Sequence, residues 1–524
     1  MIKNFKWLLL VSLSFVACNN NDDDTAATAE VPVTPGSASF AKYVALGDSF
    51  AAGYSDGALF KKGQETSYPS VLAQQFTQAG GGAFNVPFCG NDNLGGLLYG
   101  GTPIAETRKY ISGFYPNGRP IIQNVPGVPV TDVTTHLTGT FNNLGVPGAK
   151  SFDLLSTTYG NGNPAGFGTG ATSPYFSRFS SSAMASVIGD ALVQKPTFFS
   201  LWIGGNDVLG YALSGGDGTN PITPTGTFET AYNNLVTQLS TDGRKGVVAN
   251  LPFITTLPNF SVVSVKPVSP SAYFVDGDEN NKVPVISAGD IATINALNAQ
   301  LLGPLKQVLT GLGAGDRIEL LSTTANNPVL IVDETLTDYK QQITGALTPA
   351  LGAATAGFYG AVFGKVRQTK KDGASTDLIL LSTSTVIGST AAGAPSPLNK
   401  YGISYPLQDK HVLIPSEISE MEAAVIAYNT IIKNAADAKG LAYVDAKSAM
   451  TQLSSTSGVS FGNFQMTSSY VTGGAFSLDG VHPTPRGYAY IANLFIDAIN
   501  TKYGSTLRKV DLAEYQTLFP GMIQ

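Results

Sequence analysis

Five short apolar runs, each ending at a glycine, proline or polar turn, constrain this chain more than any other feature. They are Tyr43–Leu46, Phe141–Val146, Thr197–Ile203, Gly246–Leu251 and Leu441–Val444. Runs of this length and composition suit strands buried on both faces. Helical patterns lie between them. Pro69, after Ser67 and Tyr68, predicts a helix that runs to Gln78 and stops at Gly80–Gly82. Between Pro415 and Lys439, the residues Ile418, Met421, Val425, Tyr428, Ile432 and Ala435 recur at three- and four-residue steps, and Gly440 is the stop. Thr484-Pro485 opens a last helix whose apolar face is Tyr488, Ile491, Phe495 and Ile499. Strands alternating with helices predict an α/β fold, a three-layer α/β/α sandwich around a parallel central sheet.

Two stretches break the rhythm. Residues 80–140 are rich in glycine and proline with little periodicity. Residues 259–399 carry a helical pattern of their own, Ile291 to Leu309, and apolar runs at Val329–Val332 and Leu378–Leu381. They read as an insertion or cap beside the site, or alternatively as extra strands of the main sheet. The expected organisation is a leader at 1–17, a flexible tether at 18–39, a core in two parts at 40–258 and 400–510, the insertion at 259–399 between them, and a tail at 511–524.

With 43% apolar and 13% charged residues among 524, the chain can bury a large core. A net charge of -6 without a lysine or arginine cluster argues against nucleic acid as a partner. Lys3 and Lys6 followed by the apolar stretch Trp7–Ala17 have the form of a secretory signal, too short to span a membrane. Phe15-Val16-Ala17-Cys18 resembles a bacterial lipobox, with Phe15 where leucine is usual. That resemblance implies lipidation at Cys18 and a membrane anchor through the lipid. The following Asn19-Asn20-Asn21-Asp22-Asp23-Asp24 resembles the surface-export signal of Bacteroidota lipoproteins, which implies an outer-membrane lipoprotein exposed at the cell surface. Cys89 then has no partner, so no disulfide is expected.

The chemistry-bearing residues sit at the ends of the apolar runs. Gly47-Asp48-Ser49 follows the first run, placing a serine at a strand end. A serine hydroxyl is a weak nucleophile until a base activates it. Of the three histidines, His136 lies in a threonine-rich loop with only Asp132 nearby, and His411 lies beside Asp409 and Lys410; both read as surface or capping residues. His482 lies three residues after Asp479, across the glycine turn Asp479-Gly480-Val481-His482. A compact turn there lets the carboxylate reach Nδ1 and leaves Nε2 free to take a proton.

Leu201-Trp202-Ile203-Gly204-Gly205-Asn206-Asp207 ends one buried run, and Asn143-Leu144-Gly145-Val146-Pro147-Gly148 ends another. With Gly-Asp-Ser before them and Asp-Gly-Val-His after, the chain resembles the SGNH, or GDSL-type, hydrolases. The resemblance covers 40–258 and 400–505. It implies a flavodoxin-like sandwich and a metal-free, cofactor-free esterase. Ser49 is then the nucleophile, His482 the base and Asp479 its orienting acid. The backbone N–H groups of Ser49 and Gly148 and the Asn206 amide become the oxyanion donors. Gly145 is an alternative to Gly148, whose distance after Asn143 fits better. Departures are the long gap between Ser49 and Asn143, the insertion, and Phe50 where the family's name has leucine. The implied partners are ester substrates: a lipid, another acyl ester or an acetylated glycan. The alternatives are a lipase or carbohydrate O-acetylesterase of the same fold, or a surface lipoprotein that binds without catalysis. A degenerate relative of the last kind is expected to have lost one of these residues.

Three look-alikes compete. Gly458-Val459-Ser460-Phe461-Gly462 matches a nucleophile elbow, but no buried run precedes it and no helical pattern follows. Gly90-Asn91-Asp92 repeats part of the asparagine block without a strand before it. Asp276-Gly277-Asp278-Glu279-Asn280 resembles a calcium loop, yet Asn281 stands where glycine is needed and Ser287 where the closing glutamate is needed.

Overall fold

The computed structural model describes residues 32–114, 120–268, 273–274, 284–286, 290–372 and 375–522. The leader, Cys18 and the acidic tract after it lie outside the described residues, as does the calcium-loop look-alike.

The five apolar runs form the one five-stranded sheet: β1 (Tyr43–Gly47), β2 (Asn143–Gly145), β3 (Phe198–Trp202), β4 (Lys245–Ala249) and β5 (Ala442–Val444). All pairings are parallel, in the order β5-β4-β3-β1-β2. Every residue of β1, β2 and β3 is buried, which is why these segments read as continuous apolar runs rather than alternating ones. In this doubly wound arrangement the chain leaves β1 between β2 and β3, and ligands bind outside the carboxyl ends of the strands at such a switch. The register aligns those ends. Gly47 lies opposite both Gly145 and Trp202, so the segments carrying Ser49, Gly148 and Asn206 all emerge at one edge.

Helices cover both faces. On one side, α2 (Tyr68–Thr77) packs against α7 (Pro485–Tyr503), which also covers β5 and β4. On the other, α4 (Thr225–Leu239) packs against α5 (Pro415–Lys439). The short helices α1 (Ser49–Ala52), α3 (Asn206–Leu213) and α6 (Ala446–Ser454) begin at or just beyond strand ends. Both helix starts are capped: Ser67 Oγ accepts from Ser70 N–H, and Thr484 Oγ1 from Gly487 N–H. Beneath α2, the Phe40 and Phe76 rings stack at 4.1 Å, and Phe198 meets Phe40 edge-on at 4.9 Å. Each ring buried this way contributes about 1.5–3 kcal/mol.

The apolar runs at 329–332 and 378–381 are not strands of the main sheet. Leu330–Val332 pairs antiparallel with Val366–Gln368, and Leu378–Ile379 with Val412–Leu413. Leu301, Leu302, Leu305, Leu309, Ile343 and Phe363 form a second core apart from the main one. The pattern predicted as one helix over 291–309 is divided into Asp290–Leu297, a π-helical turn at Asn298–Leu302, and Gly303–Gly311. Gly303-Pro304 falls inside it, where proline removes a ladder donor, and the Asn298 side chain is drawn off to the Leu321 backbone. Residues 340–363 have the length and hydropathy of a membrane span when read through. Gly352 divides them into two helices folded back on each other, with Gly360 against Lys340.

The glycine-rich stretch forms two hairpins, Leu97–Tyr99 with Thr102–Ala105 and Lys109–Phe114 with Pro120–Asn124. The expected tether ends earlier than residue 39. Thr34 N–H donates to Thr506 Oγ1, and Ser37 N–H to Tyr503 O, both at 2.8 Å, which pins this segment to the end of α7.

Candidate active site

Ser49 is the first residue of α1, directly beyond β1. Asp48 caps this helix, accepting from Phe50 N–H at 3.0 Å, and so fixes the turn that presents the hydroxyl. Burial pushes the Asp48 carboxyl up to about 6. The close turn depends on Gly145, because a Cβ there would meet Ala52 N at 2.3 Å.

Ser49 Oγ lies 2.8 Å from His482 Nε2, and His482 Nδ1 lies 2.7 Å from Asp479 Oδ2. The three predicted residues therefore form one hydrogen-bonded chain across 433 positions of sequence. The Asp479-Gly480-Val481-His482 turn is closed by its own acid. Asp479 Oδ1 accepts from the N–H of Val481 and of His482 at 2.9 and 2.8 Å. Asp479 Oδ2 also accepts from Gly57 N–H at 2.9 Å. Burial pushes the Asp479 carboxyl upward, but the His482 charge and these donors outweigh it and hold the group at about 2. An ionised acid on Nδ1 leaves Nε2 as the nitrogen facing the serine. The rings of Tyr54 and Phe50 flank the imidazole at 4.6 and 5.5 Å.

The predicted donors converge on the same edge. Gly148 is exposed, at φ +81°, a left-handed conformation that favours glycine. Its N–H and that of Ser49 take no acceptor among the described residues. The N–H of the rival Gly145 is already given to Asn143 Oδ1 at 3.0 Å. Asn206 begins α3 and donates one Nδ2 hydrogen to Ala149 O at 3.0 Å, leaving the other for a ligand. Asp207, which the sequence reading quoted without a role, anchors the same loop: its Oδ2 accepts from Ser151 N–H and its Oδ1 from Ser151 Oγ, both at 2.8 Å. Its position beside Asn206 was the available signal. Gly57 and Asn259 were missed as well. Asn259 N–H donates to Gly480 O at 2.9 Å and its Nδ2 to Asp479 O at 3.2 Å, so a residue remote in sequence holds the acid turn. No local pattern marks such contacts.

The competing residues stand elsewhere. His136 Nε2 lies 2.9 Å from Ser180 O. His411 Nδ1 accepts from Gln408 N–H in a helix cap, and burial pulls its pKa down to about 4. Ser460 is exposed on the hairpin Val459–Phe461/Phe464–Met466, with no helix behind it.

Beside Ser49 and Asn206 lies a cleft, partly open to solvent, with apolar walls that include Trp202, Leu209, Leu251 and Val425. Apolar walls with few polar groups suit small-molecule ligands. The arrangement can pass a proton from a hydroxyl to an imidazole and meet a developing oxyanion with three N–H donors.

Comparison with curated proteins and with solved structures found no match. The family model described as GDSL-like Lipase/Acylhydrolase matches residues 43–312 and 306–495, a span containing the sheet and every element of this site. The chain belongs to the GDSL-like lipase/acylhydrolase family of hydrolases.

Proposed function

We propose that this protein is a serine esterase that cleaves carboxylic esters through an acyl-enzyme on Ser49. Ser49 Oγ attacks the ester carbonyl as His482 Nε2 takes its proton. Asp479 holds the imidazole in the right tautomer and stabilises its charged form. The Ser49 and Gly148 N–H groups and Asn206 Nδ2 receive the oxyanion. Collapse expels the alcohol, which leaves with the proton from His482. Water then repeats the sequence, with His482 as base, and the carboxylic acid departs from Ser49.

The observation that carries this reading is the Ser49–His482–Asp479 chain, with distances of 2.8 and 2.7 Å. It favours catalysis over ligand binding alone, which has no need of an acid-oriented imidazole on a hydroxyl. Steady hydrolysis of p-nitrophenyl butyrate is expected from the full chain, with loss in Ser49→Ala. Equal inactivity of both on simple esters and acetylated sugars would favour the binding lipoprotein. We also propose that the mature chain is held at the outer membrane by lipid on Cys18. Incorporation of labelled fatty acid, abolished in Cys18→Ala, tests that anchor separately.

A further inference from the structure

The Asp479–His482 turn is gripped from outside by residues 54–57, which follow α1 and its Gly53 cap. Ser55 Oγ donates to Pro483 O at 3.0 Å, and the Tyr488 hydroxyl to Tyr54 O at 2.7 Å. Asp56 is the corner of this segment. Its Oδ1 accepts from Leu478 N–H, and its own N–H donates to Ser477 Oγ, both at 2.9 Å. Ser477 Oγ in turn donates to Asp479 Oδ1 at 3.2 Å, and Gly57 N–H to Asp479 Oδ2 at 2.9 Å. One corner beside the nucleophile helix thus reaches both oxygens of the acid. Asp56 is an unfavourable residue for such a corner. Its φ of +52° lies in the left-handed region, its carboxyl is buried, and Oδ2 has no partner among the described residues. Glycine would take that φ without strain. Strain of this kind persists only where the surrounding structure holds it, and it gathers at active sites.

We propose that Asp56 is a positioning residue for the triad: its Oδ1 on Leu478 N–H, together with Ser477 Oγ, locks the Asp479 carboxylate onto His482 Nδ1. The proposal rests on the roles given to Ser49, His482 and Asp479. As Ser49 attacks, the imidazole gains a charge that the acid must meet without moving. A turn that rocks lets the carboxylate drift from Nδ1. That weakens the charged imidazole in the transition state and leaves ester binding intact. The charges that reach Asp56 come from several sides. Asp479 on the acid turn disfavours its ionisation, Arg108 and Lys109 favour it, and the Tyr470 hydroxyl is held protonated partly by it. Arg108 is bonded elsewhere: its Nε donates to Asn93 O and its Nη2 to Pro520 O and Gly521 O, with the guanidinium 5.3 Å from the Phe60 ring centre. The grip on Leu478 uses Oδ1 alone, so an amide oxygen can take its place.

The test uses the full chain with p-nitrophenyl butyrate. Asp56→Gly keeps the left-handed corner and removes only the side-chain bond. It should lower kcat about ten- to hundred-fold with KM within about two-fold. Asp56→Asn, which restores an oxygen on Leu478 N–H, should recover most of that loss. Ser477→Ala breaks the other arm without changing charge, and it carries the test should Asp56→Gly fail to fold. In Ser477→Ala the acidic limb of the kcat/KM profile should move to lower pH by about half a pH unit, because an imidazole with a looser acid gives up its proton more readily. A role confined to stability lowers the melting temperature and leaves that limb in place. An unmoved limb in Ser477→Ala, kcat in Asp56→Gly within about three-fold of wild type, or no recovery in Asp56→Asn overturns the proposal while leaving the esterase reading intact. If wild type cleaves no ester, the role of Ser49 fails. The His482 imidazole signal in NMR, assigned by its loss in His482→Gln, then decides the clamp by itself. Its titration midpoint moves to lower pH in Ser477→Ala if the clamp holds, and an unmoved midpoint overturns it.

Discussion

Asp479 and Asp56 sit on facing turns and titrate in opposite directions. Asp479 has His482 and several N–H donors, which keep it ionised down to about pH 2. Asp56 is buried and, among the described residues, accepts only from Leu478 N–H through Oδ1, while its Oδ2 has no partner there. Burial pushes it up to about 7. Its folded pKa exceeds the unfolded value of about 3.9, so its contribution to stability is complete below that value and lost as pH rises through 7. Asp479 is the reverse: its contribution holds above the unfolded value and is lost as pH falls through about 2. Asp56→Asn keeps the acceptor and removes the titration. The melting temperature of the variant should therefore fall less between pH 5 and 8 than that of wild type. An equal fall in both would sink this account. The catalytic reading gives sharper numbers at the same scale. Asn206→Ala should lose about 10²–10³ in kcat with little change in KM, as one oxyanion donor does. Asp479→Asn should lose about 10⁴, because the amide favours the wrong histidine tautomer.

At the scale of elements, the loop after β2 is held by α3 as well as by its own Ala149 N–H bond to Val146 O. Asn206 binds Ala149 O, and Asp207 binds both polar groups of Ser151, so two adjacent residues fix where the Gly148 N–H points. Asp207→Ala leaves a buried N–H and hydroxyl unpaired. It should cost about 1–3 kcal/mol in denaturant unfolding and lower kcat more than it raises KM. Ser151→Ala, which keeps the N–H bond, should do less on both counts. This coupling also shows what the sequence could tell. Buried strands announce themselves as apolar runs, and the sheet register brings the segments at their carboxyl ends, with Ser49, Gly148 and Asn206, to one edge. His482 and Asp479 were legible because their turn is local. Gly57 on Asp479, 422 residues away, was not, because nothing local distinguishes a backbone N–H that reaches another loop. The hairpins at 97–105 and 109–124 were hidden for a different reason. Thr102–Ala105 is mostly exposed, the other three strands are buried or half-buried without apolar alternation, and each pairing carries a register shift.

At the scale of the whole molecule, the segment at 259–399 is both a separate core and a brace for the site. Its core from Leu297 to Val366 stands apart from the main one, and beside it Arg367 is buried between Asp333 and Asp377 at 2.6 Å each. Its root is joined to the main body, where Phe260, Leu380 and Leu413 belong to the main core and Asn259 holds the acid turn. The two larger cores, joined through a smaller cluster that includes Ile331, Ile379, Leu407 and Ile414, should unfold in two steps, a case where one all-or-none transition no longer describes the chain. Leu305→Ala, at a fully buried position of the second core, should weaken that core by about 2–5 kcal/mol and move only the lower calorimetric transition. Phe198→Ala, in the middle of the main sheet, should cost about 3–5 kcal/mol and move the upper one. Butyrate hydrolysis at 25 °C should survive Leu305→Ala and disappear on heating through the lower transition, when the Asn259 contacts to Asp479 and Gly480 are released. A single transition displaced equally by both substitutions would mean that the join at Leu380 and Leu413 makes one cooperative unit, and the bracing role of this segment would then have no separate melting step.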